Sequence, residues 1–109
     1  MPANNRQRAG IRRERELKAR YEGKGWTVIR SAGSKGAGDL VCGKAGYQTQ
    51  VIECKTTAAG PFTGWSPSER SQFAEAAERA GWLPVLVWWP YDRQGPRFYA
   101  GRDTWPNGR

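Results

Sequence analysis

The chain reads as a mixed α/β domain, with a single mixed β-sheet of about five strands flanked by helices. Three observations point there. Residues 11–22 are rich in Arg, Glu, Leu, Lys and Ala and contain no Gly or Pro, a helix-forming composition. A short β-branched segment and a hairpin pattern follow. A second, cleanly capped helix then leads into a nearly continuous apolar run, Leu83–Trp89. The resulting order is helix, three strands, helix, two strands.

Residues 1–10 are polar and basic, with Arg6 and Arg8 among them, and read as a flexible arm. The folded domain is expected over residues 11–101 and an irregular tail over 102–109. Gly23 and Gly25 stop the first helix. Residues 26–30, Trp-Thr-Val-Ile-Arg, form a short strand by their aromatic and β-branched content. A loop over 31–38 carries Gly33, Gly36 and Gly38. Residues 39–43 and 47–55 read as a hairpin turned at Ala45-Gly46. After a loop over 56–64, Ser66 can cap the second helix, with Pro67 at its first position and Glu69 completing a capping box. Phe73, Ala77 and Ala80 form its apolar stripe, and Gly81 ends it. Leu83–Trp89 is a buried strand whose start Pro84 should leave unpaired, and residues 97–100 form the last strand.

At 109 residues the chain is one domain with a modest core, which a homodimer would enlarge. Lys and Arg total 18 against 10 Asp and Glu, for a net charge of +8. That balance calls for a polyanionic partner, nucleic acid ahead of an anionic membrane surface. The longest apolar run is far short of the roughly 20 residues that span a bilayer, and the basic N-terminus has no apolar segment behind it to make a secretory signal. Cys42 and Cys54 match no metal-binding or redox spacing and read as reduced thiols of an intracellular protein. The chain has no histidine, which removes Ser-His and Cys-His catalysis and most zinc sites. Its chemistry must use carboxylates, Lys, Tyr or Ser, with a hard cation held by oxygen ligands.

Glu14, Asp39, Glu53 and Lys55 are the informative residues. On a strand, Glu53 and Lys55 share a face and Cys54 points away. Taken alone the pair is as well explained by a surface ion pair on an edge strand. Asp39 begins the preceding strand. With an odd-numbered hairpin connection it falls opposite Glu53, with Cβ atoms roughly 5 Å apart; a two-residue turn would put the two acids on opposite faces. Carboxylates that close are tolerable with a cation between them, and Mg²⁺ takes one or two carboxylates while keeping several waters. On the first helix Ile11, Leu17 and Tyr21 define the apolar side, and Glu14 lies within it. An inward acid is costly unless paired or metal-bound. The plain alternative is a helix pair between Glu14 and Lys18.

Acid, then Asp, then Glu-x-Lys is the skeleton of the nuclease superfamily known by its PD-(D/E)xK motif. The segments Glu14-Arg15-Glu16-Leu17, Gly25 to Lys35, Gly38-Asp39-Leu40-Val41 and Ile52-Glu53-Cys54-Lys55 closely resemble archaeal-type Holliday junction resolvases. The resemblance runs roughly from residue 11 to 100 and is clear to about Lys55. It implies a restriction-endonuclease-like core and a homodimer that nicks four-way DNA junctions symmetrically. Glu14, Asp39, Glu53 and Lys55 would be catalytic, Arg15 and Arg30 would contact DNA, and Ser34 would reach the scissile phosphate. Asp39, Glu53 and the Cys54 carbonyl would hold Mg²⁺, for which Mn²⁺ should substitute, with Glu14 bound directly or through water. The basic surface of Arg6, Arg8, Arg12, Arg13, Arg15, Lys18, Arg30 and Lys35 would hold the DNA backbone without reading sequence. The protein is accordingly expected inside the cell, on the nucleoid. Gly38 stands where the motif has Pro, and the glycine loop is slightly longer than usual, which loosens the Ser34 assignment.

Two other readings compete: a different PD-(D/E)xK repair nuclease, and a basic nucleic-acid-binding module without catalysis. The glycine loop is no P-loop, because no Gly-Lys-Ser/Thr leads into a helix. Of the six tryptophans, Trp82, Trp88 and Trp89 read as core or interface, while Phe62 and Trp65 are candidates for a dimer seam.

Overall fold

A computed structural model describes residues 5–30, 39–58, 60–62, 64–90 and 95–106. The elements are α1 (Asn5–Glu22), β1 (Thr27–Arg30), β2 (Leu40–Gly43), β3 (Gln50–Thr56), α2 (Pro67–Arg79), β4 (Leu83–Trp89) and β5 (Arg97–Ala100), then a 3-10 turn at Arg102–Thr104. The strands lie side by side in chain order. Every neighbouring pair is antiparallel except β3 and β4, which run parallel. A parallel pair needs a crossover, and α2 supplies it.

Alternation along the strands splits the core into two layers. Leu17 of α1 packs with Leu40, Cys42, Ile52, Val85, Val87 and Trp89 on one face. Phe73, Ala74 and Ala77 of α2 pack with Val51, Leu86, Trp65 and Trp105 on the other. The second helix starts as its sequence predicts: Ser66 Oγ accepts from the Glu69 amide at 3.1 Å, and Glu69 Oε1 accepts from the Ser66 amide at 3.0 Å. Gly81, at φ 78°, turns the chain out of it in the left-handed region where glycine is favoured.

Four expectations are corrected. The first helix begins at Asn5, so residues 5–10 belong to it and are not a flexible arm. Arg, Gln and Ala favour helix there, and the single Gly10 costs only about 1 kcal/mol, too little to break a helix anchored by the fully buried Leu17. β3 begins at Gln50, not at residue 47. Tyr47 is instead drawn into the turn, with its amide on the Lys44 carbonyl at 3.0 Å and its ring 5.6 Å from that of Trp26.

Pro84 does not leave the start of β4 unpaired, since it faces Val51 in the parallel ladder. Its missing N–H would have met the Gly101 carbonyl, which instead accepts from the Thr104 amide and hydroxyl at 3.0 and 2.9 Å. The C-terminal segment, expected to be irregular, makes its short 3-10 turn and buries Trp105 against Trp65 and Phe73.

Candidate active site

β3 carries the site because two strands hold its backbone and its sequence changes character halfway. Val51 and Ile52 are buried. Glu53 and Lys55 follow on the α2 face, with Lys55 Nζ 3.2 Å from Glu53 Oε2 and both side chains under one-fifth exposed. The plain reading of these two residues as a surface pair on an edge strand is set aside: β3 is flanked by β2 and β4.

The hairpin register runs as far as the first residue of β2. Leu40 faces Ile52, Val41 faces Val51 and Cys42 faces Gln50. Asp39 lies just before the first of these pairs and close enough to Glu53 for its charge to act there. The Asp39 amide donates to the Ile52 carbonyl at 2.7 Å, and Asp39 Oδ2 accepts from the Cys54 amide at 2.7 Å. A residue's N–H and C=O point to the same edge of a strand, so the Cys54 carbonyl also faces the side where Asp39 stands. The Cys54 thiol packs into the α1 layer, where burial pushes its pKa up.

Electrostatics follow from this crowding. Burial raises the pKa of Asp39, with the charge of Glu14 adding to the effect and the Cys54 amide opposing it. Burial, and then the charge of Asp39, push Glu53 up to about 7. Two carboxylates that resist ionisation side by side are a donor set that a hard divalent cation would relieve. Among the described residues no three ligand-type side chains converge. Such a cation would therefore rely on backbone oxygen and water beyond the two acids, which suits Mg²⁺.

Glu14 reaches the site from α1. Its partner is Arg30 of β1, whose Nε donates to Oε1 at 2.8 Å, and not Lys18. Lys18 pairs with Glu22 at 2.8 Å. Arg13 bonds Glu16 at 3.3 Å and lies 4.7 Å over the Trp89 ring, so it braces the helix against the sheet. Arg12 and Arg15 are exposed. Arg6 and Arg8 fall on α1, but their side chains lie outside the described residues, as do Ser34 and Lys35 entirely. Asp39, Glu53, Lys55, Glu14 and Arg30 thus gather at one end of the sheet.

Trp65 was not anticipated there. Its ring centroid lies 5.0 Å from Lys55 Nζ, and the residue is buried within its own chain. It is therefore a core residue and not an open seam. Its place in an aperiodic loop gave no signal beyond the aromatic side chain itself. Of the other tryptophans, Trp89 is buried as expected, while Trp82 is 38% exposed. No described helix is long and apolar enough to cross a membrane.

Comparison with known proteins gives a family and a matching fold. The family model described as archaeal Holliday junction resolvase (Hjc) matches residues 5–98. The crossover junction endodeoxyribonuclease Hjc of Methanocaldococcus jannaschii is 49% identical over 55 residues, which is 50% of this chain and 40% of that protein. The match therefore spans less than half of that relative's length. The crystal structure of Archaeoglobus fulgidus Hjc, a Holliday junction resolvase from an archaeal hyperthermophile, superposes with a TM-score of 0.68 at 26% identity. The alignment covers 84% of this chain and 72% of that one.

Proposed function

This chain belongs to the archaeal Holliday junction resolvase family, and we propose that it is a structure-selective, Mg²⁺-dependent DNA endonuclease that resolves four-way junctions by paired symmetric nicks. The observation that carries the proposal is the double tie of Asp39 to β3, through the Ile52 carbonyl and the Cys54 amide, which brings its charge to bear on Glu53. Asp39, Glu53 and the Cys54 carbonyl would hold the cation, with Glu14 acting through water; Mn²⁺ would substitute. When bound, the cation polarises the phosphodiester and acidifies a water.

The remaining roles belong to the chain. Lys55 keeps a positive charge at the site, where it orients the attacking water or stabilises charge on the pentavalent phosphorus. Glu14 holds Arg30 at the mouth of the site, where its guanidinium meets the DNA backbone. Arg12 and Arg15 on the exposed side of α1 extend this contact, joined by Arg6, Arg8, Lys18 and Lys35. Ser34 would approach the scissile phosphate. Selectivity for a branched substrate comes from shape, with two copies of the site on a twofold homodimer matching two symmetric strands. DNA as the substrate places the work inside the cell, at the nucleoid.

The test is cleavage of a labelled four-way junction beside linear duplex of the same sequence, in Mg²⁺ and in EDTA. Paired nicks on the junction alone, lost in EDTA, are expected. Equal cutting of both substrates would leave a repair nuclease without junction selectivity. Tight binding with no cutting in Mg²⁺ or Mn²⁺ would leave a DNA-binding module.

A further inference from the structure

We propose that Trp65 is a positioning residue for Lys55: its ring face holds the ammonium at the site when Glu53 is occupied by a cation. The proposal rests on the nuclease reading of Lys55. The lysine meets Glu53 Oε2 at 3.2 Å and the Trp65 ring at 5.0 Å, and the charge of Asp39 also acts on it. Both carboxylates would also be claimed by the cation. Once Glu53 turns its charge toward a metal, its hold on Lys55 weakens, and a four-carbon side chain is free to swing. The ring quadrupole carries no net charge and is not consumed by metal binding, so it continues to attract the ammonium.

The ring can do this because it is fixed. Trp65 is 6% exposed. Phe73 packs edge-on at 5.8 Å, Trp105 lies at 5.4 Å, and Phe62 stands at 6.1 Å. The Trp65 carbonyl accepts from Arg70 Nη1 at 2.6 Å. Arg70 is itself buried, with its guanidinium 4.1 Å from the Phe62 ring. Such a buried guanidinium is costly to place, and here it ties the loop before α2 to the helix. Trp105 and Arg70 thereby hold the Trp65 ring in place.

The experiment uses the full chain with ¹³C-labelled lysine, Lys55 being assigned from Lys55→Arg. In the metal-free wild type, the ring should move the Lys55 ε-methylene signals clearly upfield of those of Lys18, which pairs with Glu22. Adding Mg²⁺ should leave that shift in place. Trp65→Phe keeps a smaller upfield shift and most of the junction-cutting rate. Trp65→Leu loses the shift and cuts about five- to thirty-fold more slowly, as expected for one desolvated cation–π contact, with junction affinity unchanged.

Lys55 signals coincident with those of Lys18 in the wild type overturn the proposal without any variant, so it stays testable if Trp65→Leu does not fold. A folded Trp65→Leu that cuts at the wild-type rate overturns it as well, and Trp65→Phe as slow as Trp65→Leu reduces Trp65 to core packing. If the wild type shows the shift but cuts no DNA, the nuclease reading fails and the positioning role with it, while the contact stands.

Discussion

The two halves of β3 are continuous in backbone and opposite in purpose. Val51 and Ile52 have the whole of β2 and β4 alongside and are almost wholly buried. Glu53 and Lys55 keep β4 as a partner but run past the start of β2, where the Asp39 side chain takes over the Cys54 amide. The first half gains stability from apolar burial. The second spends some of it on holding two acids together. The contrast shows how a small sheet can be rigid and reactive at once: the packed half fixes β3, and Asp39 is tied to it through the Ile52 carbonyl and the Cys54 amide.

Substitutions in the two halves should therefore fail differently. The largest effect is expected at the polar end, where Asp39→Asn or Lys55→Met should slow junction cutting by about 10³-fold or more with little or no loss of melting temperature. Single-turnover kinetics beside a thermal melt would check it. In the packed half, Ile52→Ala should cost about 3 kcal/mol in urea unfolding, with the rate per folded molecule close to wild type. Loss of cutting without loss of stability at Ile52 would erase the distinction.

A smaller effect follows from pH. Glu53 stands at about 7 in the folded protein against an ordinary 4.5. Between those values the folded state keeps a proton that the unfolded chain has released. The contribution of Glu53 to metal-free stability is thus fullest below pH 4.5 and is lost as pH rises through 7, by on the order of 1–3 kcal/mol. Urea midpoints across that range should show the decline, and Glu53→Gln should flatten it. The smallest effect belongs to the outer surface: Arg12→Ala should lower the slope of log affinity against log salt by about 1 and leave the chemistry alone.

What the sequence revealed was mostly local. The α2 capping box and the alternation of Glu53 and Lys55 need only neighbouring residues, and the inward placement of Glu14 needs only a helical wheel. The nearness of Asp39 to Glu53 was half legible, because it turned on the hairpin register or a bulge, and the Asp39 amide meets Ile52 instead. Contacts between distant segments were not legible. Arg30 was read as a DNA contact, but its partner Glu14 lies on another element. Trp65 meets Lys55 across a loop with no periodicity, and Trp105 enters the core from a tail whose composition is polar. The early start of α1 was hidden by Gly10, whose modest cost packing overrides.

The most direct measurement is on Glu53→Gln beside wild type, with junction binding, cutting in Mg²⁺ and thermal unfolding read from the same samples. The variant should bind at least as tightly, since a negative charge facing phosphate is gone. It should cut nothing, and above pH 7 without metal it should melt higher than wild type. A variant that cuts at the wild-type rate would put the reactive centre elsewhere than at the end of β3.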